Sequence, residues 1–395
     1  MSAATIDDVQ GVLAVARELT EPCADLAARI AAVPAPTNDE SARARLVREI
    51  FEGEGYIDIQ VDDMANVVAR IPGTSQRDRV LLLAAHLDTV FPSDTAITVR
   101  RRGRRLEAPG IGDNSVSIAA VVLVQRAFRL LGWRPAVDVL VTGNVGEEGL
   151  GDLRGMRAVL DAHPEVGAAI AIEGHTLGRI THHAVGSKRY RIIVTGPGGH
   201  SWGDAGRPSA IHAAAHLVAR LDTLRLPTQP KTSLNVGLFE GGISVNTIAP
   251  TATLVVDVRS VDADVLEGVT RRVEREARGI RSNGVDVTIE SVGDRPAGRM
   301  PTDRGIVAVG IDVLSSLGID AVCDASSTDA NVPMSRGIPA MCIGLANGGN
   351  VHRVDEYIVL DQLPVGLAQL FLVTAAVAAR LGNDTLSEPH SVLAR

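Results

Sequence analysis

The sequence predicts an α/β protein: a mixed, mostly parallel sheet flanked by helices, with an inserted α+β domain of ferredoxin-like order. Three observations predict it. Residues 80–85, 137–142 and 168–172 are near-continuous apolar runs, as expected of strands buried on both faces. Helical patterns at 118–131 and 155–163 separate these runs. From about residue 188 the texture changes to alternating apolar and polar positions, and strand and helix signals then follow in the order β-α-β-β-α-β, the split βαβ arrangement. A chain of 395 residues is also long for one core, so more than one domain is expected. The boundaries read as 1–187 and 297–395 for the first domain, in two parts, and 188–296 for the insertion.

In chain order, Val9, Val12, Leu13, Ala16, Leu19, Leu26 and Ile30 recur at helical spacing over 6–32, with Pro22 as a candidate break. Pro34, Pro36 and Asn38 mark a turn, and Asn38 or Ser41 can cap a second helix through Phe51. Short strands are expected at 57–61 and 66–71. A hairpin over 98–107, turning at Arg102-Gly103, is the most basic stretch of the chain, either a solvated ribbon or a ligand clamp. The inserted domain contributes strands near 190–194, 232–239, 252–259 and 285–291, and helices at 210–224 and 263–278. The chain then returns with a helix at 306–317, an apolar strand at 340–345 and a last helix at 363–381. The tail after Asn383 reads as loose.

Composition narrows the function classes. Hydrophobic residues are 45% and charged residues 22%, ordinary globular values. A net charge of −8 without a basic aromatic stripe argues against a nucleic-acid surface. No run of eighteen consecutive apolar residues suggests a membrane span, and the acidic N-terminus lacks a leader pattern. A cytoplasmic protein is expected. Cys23, Cys323 and Cys342 share no metal spacing and read as free thiols packed as small apolar residues.

The chemistry collects where apolar runs end. The first run meets His86-Leu87-Asp88, whose alternation puts His86 and Asp88 on one side. They either cap each other or form a metal-binding imidazole with its orienting carboxylate. The second run leads to Glu147-Glu148 in a glycine-rich loop, where a cation would relieve the repulsion of adjacent carboxylates. The third ends at Glu173, with His175 two residues on as a candidate support for it. Asp113, in Gly112-Asp113-Asn114, opens a helix and is either its N-cap or a further ligand. Oxygen and imidazole donors recurring at strand ends favour a hard or borderline cation. His182, His183, His212 and His216 read as surface or packing residues.

Seven pieces in order, His86-Leu87-Asp88-Thr89-Val90, Gly112-Asp113-Asn114, Glu147-Glu148-Gly149, Glu173, Gly198-Gly199-His200-Ser201, Thr328-Asp329-Ala330 and His352, resemble the cocatalytic-zinc exopeptidase and deacylase family. That family includes peptidase T, glutamate carboxypeptidase, aminoacylase, acetylornithine deacetylase and succinyl-diaminopimelate desuccinylase. The resemblance implies a zinc-exopeptidase type fold whose insertion is a lid and a homodimer contact. It implies two zinc ions, or cobalt or manganese, bridged by Asp113. His86 and Glu173 would complete one site, Glu148 and His352 the other. Asp88 would hold His86, and Glu147 would be the general base. The Asp113–Asn114 peptide would be cis. His200 would polarise the substrate carbonyl in the neighbouring subunit. Asn246, Arg259 and Thr328 would contact substrate, with Arg259 open between substrate anchor and lid salt bridge. Gly110-Ile111 and Asn114-Ser115 depart from the common Gly-Arg-Gly and Met-Lys-Gly around the bridging Asp. Glu173 is similar to the deacylase branch, while the Asp-Asn pair resembles peptidase T.

The implied activity is hydrolysis of the amide bond of small peptides or N-acyl amino acids with a free carboxylate. The alternatives are an N-carbamoyl amidohydrolase of the same fold and a non-catalytic binding protein that retains it. Neither nucleic acid nor membrane is expected as a partner.

Overall fold

The computed structural model describes residues 2–3, 8–75, 78–282 and 284–386. The chain divides into two compact units, Met1–His183 with Arg299–Arg395, and Ala184–Gly298. The insertion therefore starts four residues earlier and ends two later than the sequence texture suggests. Its first strand, Gly186–Thr195, pairs from its first residues, and its last, Asp286–Arg295, pairs to its end. The tail from residue 387 and the first residues of the expected 6–32 helix lie outside the described residues.

The first unit is organised by a sheet, seven of whose strands run, in spatial order, Arg179–Ala184, Ala340–Gly344, Val166–Glu173, Val80–His86, Val139–Asn144, Val67–Ile71 and Ile57–Val61, with Val322–Ser326 paired to Arg179–Ala184. The four central strands, from Ala340–Gly344 to Val139–Asn144, are mutually parallel. The outer ones pair antiparallel. Every residue of Val80–His86 and of Val139–Asn144 is buried, which is why these strands read as continuous apolar runs. Register brings the carboxyl ends level: His86 faces Asn144, and Glu173 faces Gly344. The loops leaving this edge carry the polar residues singled out above.

Helices cover the sheet. Val116–Leu130 is buried along most of its length. Leu363–Gly382 is the one described helix long and apolar enough to cross a membrane, and 83% of that apolar window is buried within the protein. It packs on Val9–Glu18, Gly305–Ser316 and the central strand. The expected 6–32 helix is two, Val9–Glu18 and Thr20–Ala31, parting at Leu19 and not at Pro22. Pro22 lies in the first turn of the second helix, where a missing N–H costs nothing. The basic hairpin pairs Arg100–Arg102 with Arg105–Glu107, so its turn falls at Gly103-Arg104. Its guanidiniums meet Glu21, Glu107 and Asp361, and Arg105 stacks over Tyr357. Cys23 and Cys342 are buried as expected, whereas Cys323 is exposed.

The second unit has four antiparallel strands in the order Thr232–Gly241, Thr251–Ser260, Gly186–Thr195, Asp286–Arg295. Ala252, Leu254, Val256 and Val258 alternate inward along one strand and pack under the helices Ala210–Asp222 and Ala263–Arg278. A short pairing of Gly199–His200 with Thr247–Ile248 joins two of its loops.

Candidate metal centre

The site is built from the loops at the carboxyl edge of the first unit's sheet. His86 closes the central strand, 1% exposed. Its Nε2 lies 3.0 Å from Asp113 Oδ1 and 3.8 Å from Glu173 Oε2. Its Nδ1 is 3.0 Å from the Asp88 carbonyl oxygen, the contact that leaves Nε2 to face the carboxylates. The Asp88 carboxylate is farther from that ring, at 3.6 Å. It accepts instead from the backbone N–H groups of Glu147 (3.0 Å) and Glu148 (2.9 Å) and from the Thr37 hydroxyl (2.9 Å). Asp88 therefore orients His86 through its backbone, while its carboxylate ties down the Glu147-Glu148 loop. The fully buried Arg43 fixes the same turn by donating to the Leu87 and Val33 carbonyls.

Asp113 lies in a tight turn, Ile111–Ser115, ahead of the Val116–Leu130 helix, and its peptide bond to Asn114 is cis. Its carboxylate offers one oxygen to each side: Oδ1 toward His86, and Oδ2 at 3.2 Å from His352 Nε2. His352 Nε2 is also 3.1 Å from Glu148 Oε1. Donor atoms of His86, Asp113 and Glu173 lie within 4.8 Å of one another, as do those of Asp113, Glu148 and His352. A third such group joins His86, Glu147 and Glu148. The first two groups share Asp113, so the structure brings together the five expected ligands and Glu147.

The electrostatics of this donor set call for positive charge. Burial disfavours protonation of His86, yet Asp113, Asp88 and Glu173 outweigh it and raise its pKa well above the usual imidazole value. His352 is pushed up to about 10 by hydrogen bonds to Asp113 and Glu148. Burial opposes ionisation of Asp113, but the two histidines hold its pKa well below the carboxylate range. Burial and the neighbouring carboxylates raise Glu173. Two imidazoles face three carboxyl groups here, an oxygen and nitrogen donor set that fits two cations.

Several supporting residues were not singled out from the sequence. Glu356, fully buried, is 2.7 Å from His175 Nε2 and accepts from the Gly110, Gly112 and Asp113 N–H groups. Asn144 donates to Asp329, whose carboxyl is pushed up to about 6 by burial. The signal for Asn144 was present, since a polar residue ends its strand level with His86. Glu356 has none beyond its place before the short strand Tyr357–Val359. Thr328, by contrast, is one of the expected substrate contacts; it is buried, and its hydroxyl accepts the Ala330 N–H at the start of the Asn331–Ser335 helix.

The other expected residues belong to the second unit. His200 and Asn246 lie on its paired loops, where Ser201 donates its N–H to the Asn246 carbonyl. Both are exposed. His200 Nδ1 accepts from the Trp202 and Gly203 N–H groups, at 3.2 Å each, so the ring carries its proton on Nε2. The Arg259 side chain is 41% exposed and donates to Asp257, which also takes Arg189.

The chain is 27% identical over 285 residues to a probable carboxypeptidase of Aspergillus flavus, an alignment spanning 66% of each chain, just under two thirds of the relative's length. Its fold matches a tripeptidase of Staphylococcus aureus with a TM-score of 0.78 at 20% identity, covering 91% of this chain and 99% of the other. It also matches YXEP of Bacillus subtilis, described as a dinuclear metal binding peptidase, with a TM-score of 0.68 at 16% identity, covering 92% and 99%. The model of peptidase family M20/M25/M40 matches residues 82–375, so the chain belongs to that family.

Proposed function

We propose that the protein is a dinuclear-metal hydrolase that cleaves the amide bond of small peptides or N-acyl amino acids bearing a free carboxylate. The observation that carries this reading is the Asp113 carboxylate, with one oxygen toward each of two His-and-carboxylate groups. His86 and Glu173 would hold one ion and Glu148 and His352 the other, with Asp113 between them. Zinc is the proposed metal, with cobalt or manganese as substitutes. When bound, such a pair supplies Lewis acidity that lowers the pKa of water toward ~7 and polarises a carbonyl. Glu147 adjoins a ligand on the loop anchored by Asp88, so it would take the proton of the attacking water and return it to the leaving amine. Asp88 keeps that loop in place.

In this reading His200 polarises the substrate carbonyl in the neighbouring subunit's site through its Nε2–H, and its Nδ1 contacts support that tautomer. Asn246 and Arg259 grip the substrate's polar end, the guanidinium suiting a carboxylate. The insertion acts as a lid and a homodimer contact in a cytoplasmic enzyme.

The test is Glu147→Ala in a hydrolysis screen across di- and tripeptides and N-acetyl, N-succinyl and N-carbamoyl amino acids. The variant is expected to keep its metal and lose turnover by about three orders of magnitude or more. A variant that turns over normally removes Glu147 from the mechanism. A parent active only on N-carbamoyl substrates replaces the proposed substrate class.

A further inference from the structure

The structure assigns to Glu356 the role of a positioning residue that couples the two metal positions. This rests on the dinuclear reading above and goes beyond it by naming what holds the two sites in one geometry. Glu356 Oε1 accepts the N–H groups of Gly112 (3.0 Å) and Asp113 (2.8 Å), and Oε2 accepts that of Gly110 (2.9 Å). These three bonds clasp the turn that presents the bridging carboxylate. The same Oε1 is 2.7 Å from His175 Nε2, two residues along from Glu173. Glu356 is itself four residues beyond His352 and closes that loop by donating its own N–H to the Arg353 carbonyl. One buried carboxylate thus fastens the segments carrying Asp113, Glu173 and His352, which include ligands of both positions.

The approach is too close to be incidental. A Cβ on Gly112 would run into the His175 ring and Glu356, so the turn can lie against this pair only with glycine there. Three backbone N–H groups converge on one acceptor that no neutral side chain replaces. An amide at 356 has a single oxygen and turns its NH₂ toward an N–H donor. Asp113 would then lose its fixed approach, and both positions would loosen together.

The test is cobalt titration of the metal-free protein, followed by its visible absorption and by calorimetry. Glu356→Gln is expected to weaken both binding steps by about 10–100-fold. His352→Ala is expected to weaken one step far more than the other. In the cobalt-loaded enzyme, Glu356→Gln should lower kcat more than it changes KM, since it touches no substrate group. His175→Ala leaves the three N–H bonds in place and should give a smaller loss in both steps. If Glu356→Gln does not fold, as judged by a thermal melt without metal, Gly112→Ala breaks the same contact from the other side and answers the same question. Parent-like binding by the variant, or loss confined to one step, overturns the inference. The functional reading fails separately: two cobalt ions bound by the parent with unimpaired turnover in Glu147→Ala would remove the mechanism and leave the coupling intact.

Discussion

The polar residues of the first unit and those of the second are held in opposite ways. His86, Asp88, Glu147 and Glu148 are buried, and Asp113 and Glu173 nearly so, with His352 the most open side chain of the group. They are fixed by hydrogen bonds between segments far apart in the chain. His200 and Asn246 of the second unit are exposed, and their contacts are with near neighbours on two paired loops. A rigid cradle suits ions, which tolerate little error in ligand distance, while exposed groups with local support suit a substrate that must enter and leave. In the proposed reading the first group would build the site and the second would use it.

The largest expected effect comes from breaking the cradle at its centre. Asp113→Ala removes the oxygen each side depends on and should abolish two-ion binding, with turnover falling by about four orders of magnitude or more. Metal analysis after dialysis checks it, and a variant retaining two tightly held ions would deny Asp113 its bridging place. A smaller effect is expected in the second unit. His200→Ala should lower kcat by about 10²–10³-fold, yet keep the parent's metal content and melting temperature. Loss of metal in that variant would erase the contrast.

The smallest effect concerns Asp329, behind the cradle. Burial raises its pKa to about 6 in the folded chain, against about 3.9 unfolded. Such a group holds its proton preferentially in the folded state. Its favourable contribution is complete below about pH 4 and is lost as pH rises through 6. Asp329→Asn keeps an acceptor for Asn144 and removes the titration. The metal-free variant should therefore gain stability relative to the parent between pH 4 and pH 7, read as a widening difference in thermal midpoint. A difference that does not change with pH would mean that the Asp329 carboxyl is not raised by its surroundings.

The sequence by itself determined the central strands and the kinds of donor at their ends. Val80–His86 and Val139–Asn144 are buried on both faces, and burial on both faces writes itself into local composition. The inserted sheet was legible for the same reason, because alternation along Thr251–Ser260 follows directly from one covered face. Pairings between distant segments have no such local trace. The Asp88 carboxylate turning to the N–H of Glu147, 59 residues away, and Glu356 taking the N–H of Asp113 across 243 residues are set by which loops the sheet register brings level. Only the tertiary structure decided these, because a hydrogen bond to a backbone N–H depends on where a chain passes and not on which side chain that chain carries.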